Sequence, residues 1–97
     1  MGRDGNLTET SVVVAREGNA SCELAGEAVI LNLESGKYHG LNPVGSRVWE
    51  LVQEPRAIAE LRDQLLTEYE VTHERMTSDL LAVRDQMKAA GLIAVSD

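Results

Sequence analysis

The sequence has few of the residues from which metal sites and disulfide scaffolds are built. Its 97 residues include no phenylalanine, one tryptophan and a single cysteine, Cys22. One cysteine excludes an internal disulfide framework, and with the separated His39 and His73 it cannot supply a four-ligand zinc site. No apolar run approaches the roughly 18–20 residues that cross a bilayer, and the chain does not begin with a signal-peptide pattern. We therefore expect no metal, no cofactor, no membrane partner and a cytoplasmic location.

Basic residues are also few. Nine lysines and arginines stand against sixteen aspartates and glutamates, which gives a formal charge of −7. This balance repels a phosphate backbone unless the positive charges cluster, and no cluster is visible, so nucleic acid is not an expected partner. With 43% hydrophobic residues the chain can build one core. We expect one domain over residues 10–95, preceded by a flexible polar segment over residues 1–9.

The first half of the sequence predicts three antiparallel strands. A β-branched cluster, Val12-Val13-Val14, indicates the first strand, and residues 28–33 and 37–41 indicate a hairpin joined at Glu34-Ser35-Gly36. Residues 21–25 predict either a short strand or an irregular link. The second half predicts three helices, since Asn42 can cap the first, with Pro43 at its first position, and Thr72 can cap the third.

The hairpin register decides which side chains face the core. In the register that we favour, Gly36 adopts the left-handed conformation in a bulged turn and Leu33 lies near Lys37. Val29, Leu31 and Leu33 alternate with Ile30 and Asn32, which predicts that these three odd positions face the core. In the favoured register His39 and Leu41 share the core face with Val29 and Leu31, and Tyr38 lies on the opposite face with Ile30. A two-residue turn at Ser35-Gly36 would reverse the faces of the returning strand.

Apolar residues recur at helical spacing in each predicted helix. The stripes consist of Val44, Val48, Leu51 and Val52 with Trp49 beside them; of Ile58, Leu61, Leu65 and Tyr69; and of Met76, Leu80, Val83, Met87 and Ala90. Gly91 is a C-terminal stop, and residues 92–95 form an apolar tail that either pairs or packs. Strands followed by helices predict an α+β fold like a winged helix-turn-helix, with a three-stranded antiparallel sheet followed by three helices.

A flank of the third helix provides a candidate binding surface. Thr77, Leu81, Arg84 and Lys88 share this flank, and Leu81 is apolar where a merely solvated flank would be polar. Leu81 either marks the edge of the core or, with residues 37–41, forms a groove for an extended peptide that adds a strand to the sheet.

Two other classes of function have weaker support. An enzyme would have to use Cys22 with His39 or His73, and the sequence offers no third orienting group, so we predict no catalytic residues. A DNA-binding winged helix is compatible with the fold. Its candidate recognition helix, however, has three basic residues against three acidic ones: Arg75, Arg84 and Lys88 against Glu74, Asp79 and Asp85.

The hairpin and the start of the first helix resemble a known family. The run Leu31-Asn32-Leu33-Glu34-Ser35-Gly36-Lys37-Tyr38-His39-Gly40-Leu41-Asn42, followed by Gly45 and by Val48-Trp49-Glu50-Leu51, closely resembles the PqqD-like peptide-recognition domains, and the similarity extends over most of residues 12–93. The resemblance implies a domain of three strands and three helices that binds the leader of a ribosomally made precursor peptide. In that family the leader docks as an added strand on the third strand, against the third helix.

Transferred to this sequence, the resemblance implies a set of peptide-binding residues. The strand would supply Lys37, Tyr38, His39, Gly40 and Leu41, and the helix would supply Asp79, Leu80, Val83, Arg84 and Met87. The length resembles that of the stand-alone RiPP recognition elements in lasso-peptide biosynthesis, which deliver the precursor to a separate cysteine leader peptidase, and we favour this assignment. The alternative is the pyrroloquinoline quinone pathway, in which the partner is a radical enzyme.

Overall fold

The computed structural model describes residues 11–96, and the segment predicted to be flexible, residues 1–9, lies outside them. Six strands and three helices occur in these residues, which confirms the predicted α+β class. Their order is β1 (Val12–Ala15), β2 (Asn19–Leu24), β3 (Glu27–Asn32), β4 (Lys37–Gly40), α1 (Pro43–Leu51), β5 (Arg56–Ala57), α2 (Ile58–Leu66), α3 (His73–Ala89) and β6 (Ile93–Ser96).

The strands form two antiparallel sheets rather than one. The first has the order β5-β1-β6, and the second has the order β2-β3-β4. The β-branched strand β1 is thus not part of the hairpin's sheet, because the apolar tail after α3 provides its partner: Val13 lies opposite Val95, and Ala15 lies opposite Ile93. The segment that was either strand or link is β2, which pairs with β3 along its whole length. We call β2-β3-β4 the hairpin sheet.

The register of the β3–β4 hairpin differs from the favoured one. Asn32 rather than Leu33 lies opposite Lys37, so the turn contains four residues, 33–36. Asn32 stabilises this longer turn, because its Oδ1 accepts hydrogen bonds from the backbone N–H groups of Glu34 (3.0 Å) and Ser35 (2.9 Å). Gly36 has a φ of 73°, which is the left-handed conformation expected of it.

The new register changes which face of β3 is buried. Ile30 pairs with His39 and is fully buried, whereas Leu33 is 62% exposed. The prediction that Val29, Leu31 and Leu33 face the core was therefore wrong. His39 does lie on the buried face, but together with Ile30, and Tyr38 lies on the other face opposite Leu31.

The helices pack around the core largely through the predicted stripes. The Oδ1 of Asn42 caps α1 by accepting a hydrogen bond from the N–H of Gly45 at 2.7 Å, and the Oγ1 of Thr72 caps α3 by accepting one from the N–H of Arg75 at 3.0 Å. Tyr69 lies beyond the end of α2 and still packs against the core. The buried core consists of Val13, Ile30, Val48, Trp49, Val52, Ile58, Leu61, Leu65, Met76, Leu80, Met87, Leu92 and Ile93.

A buried serine fixes the hairpin sheet against α1. The Oγ of Ser46 accepts a hydrogen bond from the N–H of Ala28 at 2.8 Å and donates one to the carbonyl oxygen of Leu41 at 3.2 Å. One side chain thus ties the start of β3 and the end of β4 to the same helix. None of the helices in the described part of the chain is long and apolar enough to cross a membrane.

Candidate functional site

A groove lies between β4 and the C-terminal half of α3. Its volume is about 510 Å³, and six of the predicted site residues line it: Tyr38, His39, Gly40 and Leu41 from the strand, and Val83 and Met87 from the helix. The structure thus brings together the strand and the helix that the sequence placed at one site.

Four of the predicted residues do not line the groove. Leu80 is 1% exposed and belongs to the core, and Lys37 is an exposed residue at the turn end of β4. Asp79 forms an ion pair with Arg75 at 3.3 Å, one turn of helix earlier, and Arg84 forms one with its neighbour Asp85 at 2.9 Å. Leu80 thus packs in the core, and Asp79 and Arg84 pair with charged residues of their own helix rather than facing the groove.

The groove borders a different side of α3 from the flank identified in the sequence. Successive helical residues are about 100° apart, so Leu81 and Arg84 lie across the core stripe from Val83. Leu81 is half-buried and packs against the core. Its apolar character therefore reflects the edge of the core, which was one of the two interpretations left open.

Five further residues line the groove: Asn42, Gly45, Gln86, Ala90 and Leu92. Gln86 and Ala90 follow Val83 at i+3 and i+7, so helical periodicity could have indicated them once the correct side of the helix was known. Leu92 lines the groove because the chain turns back after Gly91. The N–H of Leu92 donates to the carbonyl oxygen of Met87 at 2.9 Å. Asn42 and Gly45 could be expected near the groove only because they follow the strand in the sequence.

The free edge of β4 runs along this groove. The N–H of Leu41 donates to the carbonyl oxygen of Ala28 at 2.9 Å, which fixes the alternation of the ladder. His39 and Lys37 therefore face β3 with their backbone polar groups, and Tyr38 and Gly40 direct theirs away from it. Because β4 is the last strand in the order of the hairpin sheet, these groups lie at an open edge that can accept an additional strand.

The groove combines aliphatic walls with the polar side chains of Tyr38, His39, Asn42 and Gln86. Leu41, Val83, Met87, Ala90 and Leu92 provide aliphatic walls, and the lining includes no aspartate, glutamate, lysine or arginine. A Cβ added at Gly40 would meet nothing within 4 Å, so the strand is open to close approach at this position. Such a surface can hold the apolar side chains of an extended peptide while the strand edge binds its backbone.

The elements of a metal or nucleophile site are not assembled in the described residues. Within residues 11–96, no group of three or more histidine, cysteine, aspartate or glutamate side chains is placed to hold a metal ion. Cys22 lies on β2 opposite Val29, so it is on the other face of the hairpin sheet from His39, with β3 between the two strands. These two residues therefore do not form a nucleophile–base pair.

The chain is an α+β domain with an open strand edge beside its last helix, which is the geometry that strand addition requires. Residues 27–93 match the family model of the coenzyme PQQ synthesis protein D, PqqD. The chain belongs to this family, which confirms the resemblance found in the sequence. Comparison with curated proteins gave no match.

Two solved structures share the fold. TbiB1, solved in complex with the TbiA(beta) leader peptide, is 30% identical in sequence with a TM-score of 0.76, over 82% of this chain and 93% of that one. A lasso peptide synthetase B1, complexed with the leader peptide, is 22% identical with a TM-score of 0.75, over 84% of this chain and 96% of that one. The winged helix-turn-helix expectation is thereby confirmed.

Proposed function

We propose that this protein is a non-catalytic binding protein that captures the leader segment of a ribosomally synthesised precursor peptide. The observation that carries the proposal is the open edge of β4 beside a groove with aliphatic walls. The leader would add a strand to β4 and pair with the backbone groups of Tyr38 and Gly40. Support also comes from TbiB1, a relative at 30% identity that was solved with a leader peptide.

The groove indicates which features of the leader matter. An added strand places alternate side chains on one face, so every second residue of the leader would reach the wall formed by Leu41, Val83 and Met87. Apolar side chains match this wall, because a charged group would lose its hydration without gaining a partner. Two or three such anchors with a backbone ladder correspond to a binding free energy of about 8 to 11 kcal/mol after the cost of ordering the peptide.

The pathway that we favour is the biosynthesis of a lasso peptide. In it the protein would deliver the captured precursor to a separate cysteine leader peptidase in the cytoplasm, where the precursor is translated. The second candidate is the pyrroloquinoline quinone pathway, with a radical enzyme as the receiving partner, and the match to the family model of the coenzyme PQQ synthesis protein D favours keeping it. The domain that performs either task would comprise residues 10–95.

A titration with two fluorescent leader peptides tests the proposal. One peptide is of the lasso type, the other comes from the quinone pathway, and duplex DNA is the control. Saturable binding of the lasso-type leader alone is the expected result, and binding of the quinone-pathway leader alone would select the second candidate. Binding of DNA but of neither peptide would overturn the proposal in favour of a winged-helix regulator.

A further inference from the structure

The outer face of the hairpin sheet, which is the face opposite Ile30 and His39, is apolar, half-buried at Val29 and Leu31 and exposed around them. Its apolar side chains on the strands are Ala20, Cys22, Leu24, Val29, Leu31 and Tyr38, and Glu27 and Gly40 complete it. Leu33 follows β3 directly, at the first position of the turn, and continues the alternation of the strand. Leu24 and Leu33 are each 62% exposed and Tyr38 is 71% exposed. Three of the four large hydrophobic residues that are exposed in the described part of the chain thus share one face, and Val71 is the fourth.

The outer face is more apolar than that of an ordinary sheet with one solvated face. Such a sheet is apolar on its inner face and polar on its outer face. Here the inner face packs Ile30 into the core, with polar residues toward its margins, and the outer face has Glu27 as its single charged residue. A continuous apolar patch of this kind marks an interaction surface, whereas exposed apolar residues scattered singly do not.

The charges around the patch indicate the chemistry of its partner. Glu27 lies on the outer face, and Glu17 and Glu34 lie in the turns at its other end, near Leu33, whose N–H donates to the carbonyl oxygen of Gly18 at 2.9 Å. Arg16 and Lys37 lie at that same end, so three acidic residues stand against two basic ones and the rim is acidic in balance. An apolar surface with a basic rim complements this arrangement. A second copy of the chain does not, because both copies would present the same acidic rim and each carries a formal charge of −7.

The outer face is also continuous with the proposed leader site. Tyr38 contributes its side chain to the outer face, and its backbone N–H and carbonyl group lie at the open edge of β4. A leader strand added to this edge would extend the outer face by one strand. A protein that binds the outer face would therefore contact the carrier and its bound leader together.

We propose that the outer face of the hairpin sheet docks the enzyme that receives the leader, through an enzyme surface with an apolar centre and a basic rim. This inference rests on the proposed function, because it assigns a second surface to the same carrier. The groove holds the peptide, and the outer face orients the carrier on the enzyme.

The test uses the purified full chain, its leader peptide and the cysteine leader peptidase that acts on the same precursor. The variant Leu24→Ser/Leu33→Ser removes the two exposed leucines, and Val71→Ser is the matched control, because Val71 is an exposed aliphatic residue outside the sheet. Binding of the peptidase is measured on the immobilised carrier, with and without leader, and binding of the leader is measured by fluorescence anisotropy. Because both leucines are exposed, circular dichroism is expected to show an intact fold.

We expect the double variant to bind the peptidase at least about tenfold more weakly than the wild type, with leader affinity unchanged and with Val71→Ser like the wild type. Glu27→Lys provides a second test, and it should weaken peptidase binding and reduce its dependence on salt. Wild-type binding of the peptidase by both variants would overturn the inference, as would a wild-type carrier that binds leader but no peptidase. Self-association of the wild type that the double variant abolishes would also overturn it, by assigning the face to a second copy. Failure of the leader to bind is a separate result, which refutes the proposed function.

Discussion

Asn19 and Asn32 face each other across β2 and β3, and the side-chain amides of both donate to the carbonyl oxygen of Gly91, at 3.3 Å and 3.5 Å. Asn32 also donates to the carbonyl oxygen of Ala90 at 3.5 Å. These carbonyls are at the C-terminal end of α3, where the helix leaves them without partners in its own backbone. The two asparagines thus hold the hairpin sheet against α3 and set the distance between the two walls of the groove.

Asn32→Asp is expected to destabilise the protein and to weaken leader binding. The aspartate keeps the oxygen that accepts from Glu34 and Ser35, but it replaces a donor with an acceptor that faces two carbonyl oxygens. We expect a loss of about 1–3 kcal/mol in the free energy of unfolding, measured by urea denaturation. Asn42→Asp is the matched control, because aspartate is as good an N-cap as asparagine. Equal stability of the two variants would show that the contacts to Ala90 and Gly91 contribute nothing.

Tyr38→Pro is expected to weaken leader binding about tenfold in a protein that remains folded. Proline removes an N–H that faces the open edge, and edge strands tolerate proline at such positions. Tyr38→Ala removes the side chain but keeps the N–H, so it separates the two effects. The affinity of each variant for the labelled leader is measured by fluorescence anisotropy. If the proline and alanine variants bind the leader equally, β4 does not pair with it.

His39→Pro is unsuitable for the same test. His39 lies opposite Ile30, and its N–H faces β3 within the hairpin. Proline at this position would break the ladder and damage the fold itself, so a loss of leader binding would say nothing about the open edge.

Val83→Gln and Leu81→Gln distinguish the two sides of α3. Both residues are half-buried and pack against the core, so each variant is expected to lose about 1–2 kcal/mol of stability. Val83 lines the groove and Leu81 does not. We therefore expect weaker leader binding for Val83→Gln alone. Affinity is measured without urea, at a temperature at which both variants are folded. An equal effect of Leu81→Gln on the affinity would move the binding site to the other flank of the helix.

Glu68→Gln is expected to remove a stabilising ion pair and its pH dependence. The Nε of Arg47 donates to a carboxylate oxygen of Glu68 at 2.9 Å, and these side chains are 34% and 27% exposed. Hydrogen bonds from Arg47 and then from Gln64 lower the pKa of the Glu68 carboxyl, and the bond to Glu68 raises the pKa of Arg47. Because the pair is partly solvated, it contributes about 0.5–1 kcal/mol.

The sign of this pH dependence follows from the lowered pKa of Glu68. The contribution is complete above the ordinary pKa of a glutamate and is lost as the pH falls through the lower pKa of the folded state. Denaturation curves of the wild type and of Glu68→Gln should therefore differ at neutral pH and converge in acid. Glu70→Gln, a substitution at an exposed neighbour, is the control. A difference that stays constant down to acidic pH would contradict the assignment.

The sequence predicts the helices well and the sheet register poorly, for physical reasons. The helices are predicted by local signals, namely the caps at Asn42 and Thr72 and the apolar stripes at helical spacing. Helices form through contacts between residues close in sequence, so these signals suffice. The register of β3 depends on which face meets α1, and alternation alone assigned the apolar residues Leu31 and Leu33 to the core. The structure buries Ile30 instead, because Asn32 closes a four-residue turn and shifts the pairing by one residue.

Pairing over long distances was equally hard to predict. Nothing local to Val13 shows that its partner is Val95, more than eighty residues later in the sequence. The helical wall of the groove was hard to predict for the same reason. Its residues depend on which side of α3 meets β4, and this is a contact between segments distant in the sequence. The strand residues of the site were identified from their own segment, and the helix residues only in part.

The uncharged lining of the groove has a consequence for the kinetics of capture. Without charges at the site, an approaching peptide is not drawn toward it, and association proceeds at about the 10⁵–10⁶ M⁻¹s⁻¹ of uncharged partners. The negative field of the whole chain acts earlier, at a distance, and slows the approach of acidic segments. Selection then takes place in two stages: the field sorts peptides by charge before contact, and the lifetime of the complex sorts them by shape afterwards.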